Sequence, residues 1–78
     1  MAVQTGNPVT GEALTTRERQ VAEHVVRGYT YDSIARRLNI SPHTVDTYVR
    51  RIKLKLGVAN RAQLIVSVLD ELRETQVR

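Results

Sequence analysis

Apolar positions recur at helical spacing in four blocks of this chain, each bounded by residues that start or stop helices. Val21, Ala22, Val25 and Val26 follow Leu14-Thr15-Thr16-Arg17-Glu18 and precede Gly28. Thr15 with Glu18 three residues later is a capping box, and glycine suits the left-handed turn that ends a helix. No Gly or Pro interrupts Thr15 to Arg27, so a helix is predicted over about 15–27. Ile34, Ala35 and Leu38 form a second stripe, capped by Thr30 and with Asp32 near its positive end. This predicts a helix over about 30–38, with Ala35 small enough for a close helix approach. Val45, Val49, Ile52 and Leu56 follow i, i+4, i+7, i+11 spacing, which at about 100° per residue is one stripe. Pro42 opens this block and Gly57 stops it, giving a helix over about 42–56. Asn60, with Gln63 at the reciprocal position, caps a fourth helix over about 60–72.

The fourth block is apolar around more than half its wheel. Leu64, Ile65, Val68 and Leu72 suffice to pack inward, which leaves Ala62, Val66 and Leu69 as a spare edge. An apolar edge on a charged domain suggests a partner surface, and self-association is the simplest partner. The expected fold is all-α, a compact four-helix bundle. Residues 1–13, with Gly6, Pro8 and Gly11 among polar residues, suit a disordered lead or linker, and 73–78 a frayed tail.

Between the second and third helices, Asn39-Ile40-Ser41-Pro42 makes a tight corner. Asn tolerates the left-handed conformation, Ser is a preferred N-cap and Pro a preferred first helical residue. Two helices joined in this way form a helix-turn-helix, whose second helix can enter a DNA major groove. Opposite its apolar stripe that helix carries His43, Thr47 and Arg50, flanked by Asp46 and Arg51. These side chains suit base edges and phosphates. Leu54 points the same way and breaks the pattern.

Charge sharpens this picture. Residues 36–61 hold seven Arg and Lys against Asp46, an excess of +6, while the flanking segments are each −1 and the whole chain +4. Such a concentrated excess is the footprint of a polyanion binder. A membrane-surface helix fits less well, because no Trp or Phe is present. Without Cys there is neither disulfide nor thiolate metal site. No secretory signal or apolar run of about 20 residues occurs, and a soluble cytoplasmic protein is expected. His24 and His43 have no clustered carboxylates beside them, and Ser33 and Ser41 have capping or corner roles, so no enzyme is expected.

Taken together, LTTRERQV, Gly28 before Thr30, IARRLNIS, TVDTYVRRI, KLGV and Asn60-Arg61-Ala62-Gln63 resemble the LuxR-type (GerE-like) helix-turn-helix domain, from Leu14 to about Leu69. Such domains form the DNA-binding end of many bacterial response regulators and quorum-sensing activators. The resemblance implies a third helix in the major groove of double-stranded DNA, dimerisation through the fourth helix, and no cofactor or small-molecule ligand in this domain. It also implies RNA polymerase as a further partner; family members often carry a receiver or ligand domain before this one, and residues 1–13 would suit such a linker. The spare edge at Ala62, Val66 and Leu69 agrees with the dimer. Carried over by position, Asp46, Thr47 and Arg50 stand where base edges are commonly touched. Ser41, Thr44, Tyr48, Arg51, Lys55 and Arg61 stand where backbone contacts occur. Three departures are Thr16 for a frequent Pro, Tyr48 for a frequent His, and Asp46 for a frequent Lys or Arg. The last is the most serious, and an orienting role toward Arg50 is expected for it. GYTYDSIARRLNIS also resembles the promoter-reading last region of sigma factors, but that region usually ends with its recognition helix, whereas KLGV and a capped helix follow here. A protein-interaction module that has lost DNA binding is the other alternative, favoured by Asp46 and Leu54.

Overall fold

The computed structural model describes residues 13–76, with side chains described as far as Glu71. Four helices follow one another: α1 (Thr16–Val26), α2 (Tyr31–Leu38), α3 (Pro42–Leu56) and α4 (Arg61–Gln76). No strand occurs among the described residues. Most of the lead, residues 1–12, and residues 77 and 78 lie outside the described part.

Each helix begins where a side chain can take up its unpaired amides. Thr15 Oγ1 accepts from the Glu18 amide at 3.1 Å, and Glu18 Oε1 accepts from the Thr15 amide at 2.9 Å, completing the capping box. Thr30 accepts from Ser33 N at 3.1 Å and Ser41 from Thr44 N at 3.0 Å. At α4, Asn60 Oδ1 accepts from Gln63 N, but Gln63 Oε1 turns to the Ala59 amide rather than to Asn60.

The first three helices end alike. Gly28, Asn39 and Gly57 take positive φ, and the next residue's amide reaches back to His24, Ala35 or Lys53 O. This Schellman pattern satisfies the last carbonyls and turns the chain sharply. The fourth helix runs four residues past the end expected at Leu72, and the stretch expected to fray is helical as far as Gln76. No Gly or Pro occurs there to stop it, and Glu, Leu, Arg and Gln all favour helix.

The core is aliphatic. Leu14, Val21, Ala22 and Val25 meet Ile34 and Ala35 of α2, Val45, Val49 and Ile52 of α3, and Leu64 and Val68 of α4. Helix α3 packs against all three others, whereas α2 and α4 do not touch. Val45 and Ile52 have no exposed surface and Val49 almost none. At about 1.5–3 kcal/mol for each large aliphatic side chain removed from water, this stripe fixes the rotation of α3 about its own axis. Its opposite side is therefore turned to solvent.

Candidate nucleic-acid interface

The corner before α3 holds its first turn in a defined pose. Asn39 adopts φ 61, ψ 46 and Ser41 is extended, so the chain reverses within Asn39–Ser41. Ser41 Oγ and Thr44 Oγ1 lie 2.9 Å apart, and Ser41 Oγ already accepts from the Thr44 amide. Whichever hydroxyl donates to the other, one hydroxyl proton is left at the positive end of α3, where an anion is favoured.

Thr47 and Arg50 stand on the solvent side of α3. The Thr47 hydroxyl donates to the His43 carbonyl at 3.2 Å. With its proton turned inward, Thr47 offers a partner a methyl group and acceptor lone pairs rather than a donor. Arg50 Nε lies 3.0 Å from Asp46 Oδ2 one turn earlier, with the Arg50 side chain 76% exposed and that of Asp46 36%. Asp46 is thus engaged with Arg50, as its carboxylate suggested. Tyr48 leans its ring on the core edge, while Arg51 and Arg61 are exposed.

Lys55, expected to meet the DNA backbone, is engaged within the fold. Its amine donates to Glu18 Oε1 at 2.8 Å and approaches the Ala13 carbonyl at 3.5 Å. Lysine at this position ties the end of α3 to the start of α1, and its charge is matched there. The partner, Glu18, is 2% exposed. Burial by itself would raise its carboxyl, but the hydrogen bonds from Lys55 and the Thr15 amide, with the lysine charge, bring it below the ordinary range. A second cation is also engaged: the Arg37 guanidinium lies 3.9 Å over the Tyr29 ring, which in turn packs against His24. Sequence reasoning missed both arrangements.

On α4, Val66 and Leu69 are exposed large apolar residues and Ala62 is exposed beside them. Ala62, Gln63, Val66, Ser67 and Asp70 line a shallow groove along this face. Among the described residues, no group of His and acidic side chains could hold a metal, and no helix is long and apolar enough to cross a membrane.

Comparison with known proteins turns this geometry into an assignment. The family model for bacterial regulatory proteins of the luxR family (GerE) matches residues 12–68, which include α1, α2, α3 and the first half of α4. The chain belongs to the LuxR family. It is 41% identical over 59 residues to the transcriptional regulatory protein UhpA of Escherichia coli, covering 76% of this chain and 30% of that protein. To the "probable transcriptional regulatory protein NarL" of Mycobacterium tuberculosis it is 38% identical over 58 residues, covering 74% of this chain and 27% of NarL. To the HTH-type transcriptional regulator MalT of Yersinia pestis it is 40% identical over 52 residues, covering 67% and 6%. This chain therefore spans under a third of the length of these relatives. No solved structure gives a significant match to it. The chain is thus a LuxR-family helix-turn-helix domain, and α2, the Asn39–Ser41 corner and α3 form that motif.

Proposed function

We propose that this LuxR-family domain binds double-stranded DNA in a sequence-specific way, with α3 in the major groove and two copies joined through α4. The observation that carries the proposal is the two-sided character of α3. Val45, Val49 and Ile52 anchor it in the core while Thr47 and Arg50 remain outside, on a helix opened by a free hydroxyl at its positive end. Asp46, Thr47 and Arg50 face the base edges. Ser41, Thr44, Tyr48, Arg51 and Arg61 meet phosphates, Arg36 and Lys53 supply two further cations for them, and Ala62, Val66 and Leu69 form the contact between copies. Lys55 is left out of the phosphate set because its charge is matched by Glu18.

The test is the salt dependence of binding to duplex DNA, measured by fluorescence anisotropy. Arg36, Arg51, Lys53 and Arg61 have no partner among the described residues. Four neutralised phosphates give a log–log slope of about −3.5 per copy. A flat response overturns the proposal. The exposed Leu54, on the same side as Thr47 and Arg50, favours a second reading as a protein-interaction module. That reading takes over if no duplex is bound even at low salt.

A further inference from the structure

We propose that Asp46 and Arg50 act as one unit that reads guanine, with Asp46 as the positioning residue and Arg50 as the group that touches the base. This rests on the DNA-binding reading and adds to it the base class recognised at one place in each half-site.

Which nitrogen is engaged decides what the guanidinium can still bind. The atom pair that joins them is Asp46 Oδ2 and Arg50 Nε, 3.0 Å apart. Neither Nη group makes a hydrogen bond among the described residues. An arginine held through Nε keeps its terminal fork, and that fork matches the paired N7 and O6 acceptors of guanine in the major groove. Adenine presents an amino group where guanine presents O6, so the fork meets a donor there and loses one hydrogen bond. The i, i+4 spacing keeps the pair on one turn of α3, and the core stripe holds that turn at a fixed rotation. An arginine on a flexible stem otherwise gives up rotamer freedom when it binds. The pairing with Asp46 removes part of that loss before the DNA arrives.

Asp46 also acts against wrong placement. A carboxylate beside phosphates is repelled, so a pose that sets this turn over the backbone is disfavoured, and one that sets it over base edges is not. Thr47, with its hydroxyl proton given to His43, cannot compete with Arg50 as a donor to guanine. Its methyl and lone pairs suit a neighbouring thymine methyl or an exocyclic amino group.

The experiment selects duplexes from a random pool with the 78-residue chain, then measures affinity for the selected site and its single-base variants. The expected site carries a G·C pair at one symmetric position in each half-site, and G→A there weakens binding roughly tenfold to a hundredfold. Replacing that guanine with 7-deazaguanine, which lacks N7, also weakens wild-type binding. Arg50→Ala brings the G-versus-A ratio to within about threefold and abolishes the 7-deazaguanine effect. Asp46→Asn lowers the same ratio several-fold, Asp46→Glu restores part of it, and Asp46→Asn has no further effect on the ratio once Arg50 is Ala. A selected site in which that G is freely exchanged overturns the proposal while leaving DNA binding intact. So does an Asp46→Asn variant that discriminates as the wild type does. Failure of the folded wild-type chain to bind any duplex overturns this proposal and the DNA-binding reading together.

Discussion

Replacing Lys55 with Met separates a lysine that holds the fold from one that meets DNA. Its amine is 2.8 Å from Glu18 Oε1, and its side chain is 15% exposed against 3% for Glu18. Two unit charges at this distance attract by about 6 kcal/mol at an effective dielectric near 20. Taking both ions from water costs several kcal/mol each, so the intact pair adds little net stability. Removing one partner is different, because the other charge is stranded. Such losses are about 3–5 kcal/mol. The lower end applies here, since Lys55 keeps some contact with water and the Thr15 amide still donates to Glu18. A chain of this size has roughly 4–12 kcal/mol of stability in all, so Lys55→Met removes a large share of it. The assay is urea unfolding, read as a lower midpoint at unchanged slope. Adding Glu18→Gln recovers most of the loss, because no charge is then stranded and the Gln side-chain oxygen can still accept from Thr15.

Acid titration checks the same pair with a definite sign. The Glu18 carboxyl is lowered from its ordinary 4.5 in the folded state, so the unfolded chain takes up this proton first. Its contribution is fully present above about 4.5 and is lost as pH falls through the lowered folded value. In Lys55→Met the lysine's hydrogen bond and charge are gone while the Thr15 hydrogen bonds remain, so the carboxyl rises from its wild-type folded value. Lys55→Met therefore loses less of its stability on acidification than the wild type does. A loss under about 0.5 kcal/mol, joined to a DNA salt slope reduced by about 1, refutes this argument and returns Lys55 to the phosphate backbone.

Gly57, at φ 71, ends α3, and Gly57→Ala is expected to cost about 1–2 kcal/mol in thermal unfolding because a Cβ is strained there. The same test at Asn39, at φ 61, should show Asn39→Gly tolerated and Asn39→Ala destabilising. Val66→Glu should raise the concentration needed for two copies to assemble on a selected site by tenfold or more, with a thermal midpoint within a few degrees of wild type; analytical ultracentrifugation with labelled DNA reads the first. Arg51→Ala and Arg61→Ala should each reduce the salt slope by about 1 and leave base preference unchanged, as measured on the selected site and its variants.

The caps and the apolar stripes were legible because each depends on residues within a turn or two. Thr15 with Glu18, Thr30, Ser41 and the stop at Gly57 all act where their sequence signals lie. The buried stripe of α3 needed only its spacing. What local signals do not carry is which long side chain crosses between helices. Lys55 and Glu18 are 37 residues apart, and Lys55 looked like one more free cation of a basic segment. A hint was present, since Lys55 follows Ile52 by three residues and so borders the buried stripe. Arg37 over Tyr29 joins a helix to the loop before it, and helical periodicity says nothing of that contact. The inward turn of the Thr47 hydroxyl was open to foresight, because Thr inside a helix commonly bonds the carbonyl four residues back. The fourth helix outran its expected end because its charged residues suggested fraying, although none of them breaks a helix.

Sorting the cations by employment changes what the basic segment can do. Of the seven Arg and Lys in residues 36–61, Lys55 is matched by Glu18, Arg37 lies over Tyr29 and Arg50 is held by Asp46. Arg36, Arg51, Lys53 and Arg61 remain to meet phosphates. With about four such contacts, raising salt from roughly 50 to 200 mM weakens a single copy by about a hundredfold. A hold that loose is easily lost among competing sites. Two copies joined through α4 double the number of contacts and make the second engagement intramolecular, which raises avidity with no new DNA contact. On the proposed DNA-binding reading, the apolar edge at Val66 and Leu69 and the modest count of unpaired cations are two parts of one requirement. A domain that read bases through one arginine unit per copy, on so thin an electrostatic footing, would need its second copy to stay on the duplex.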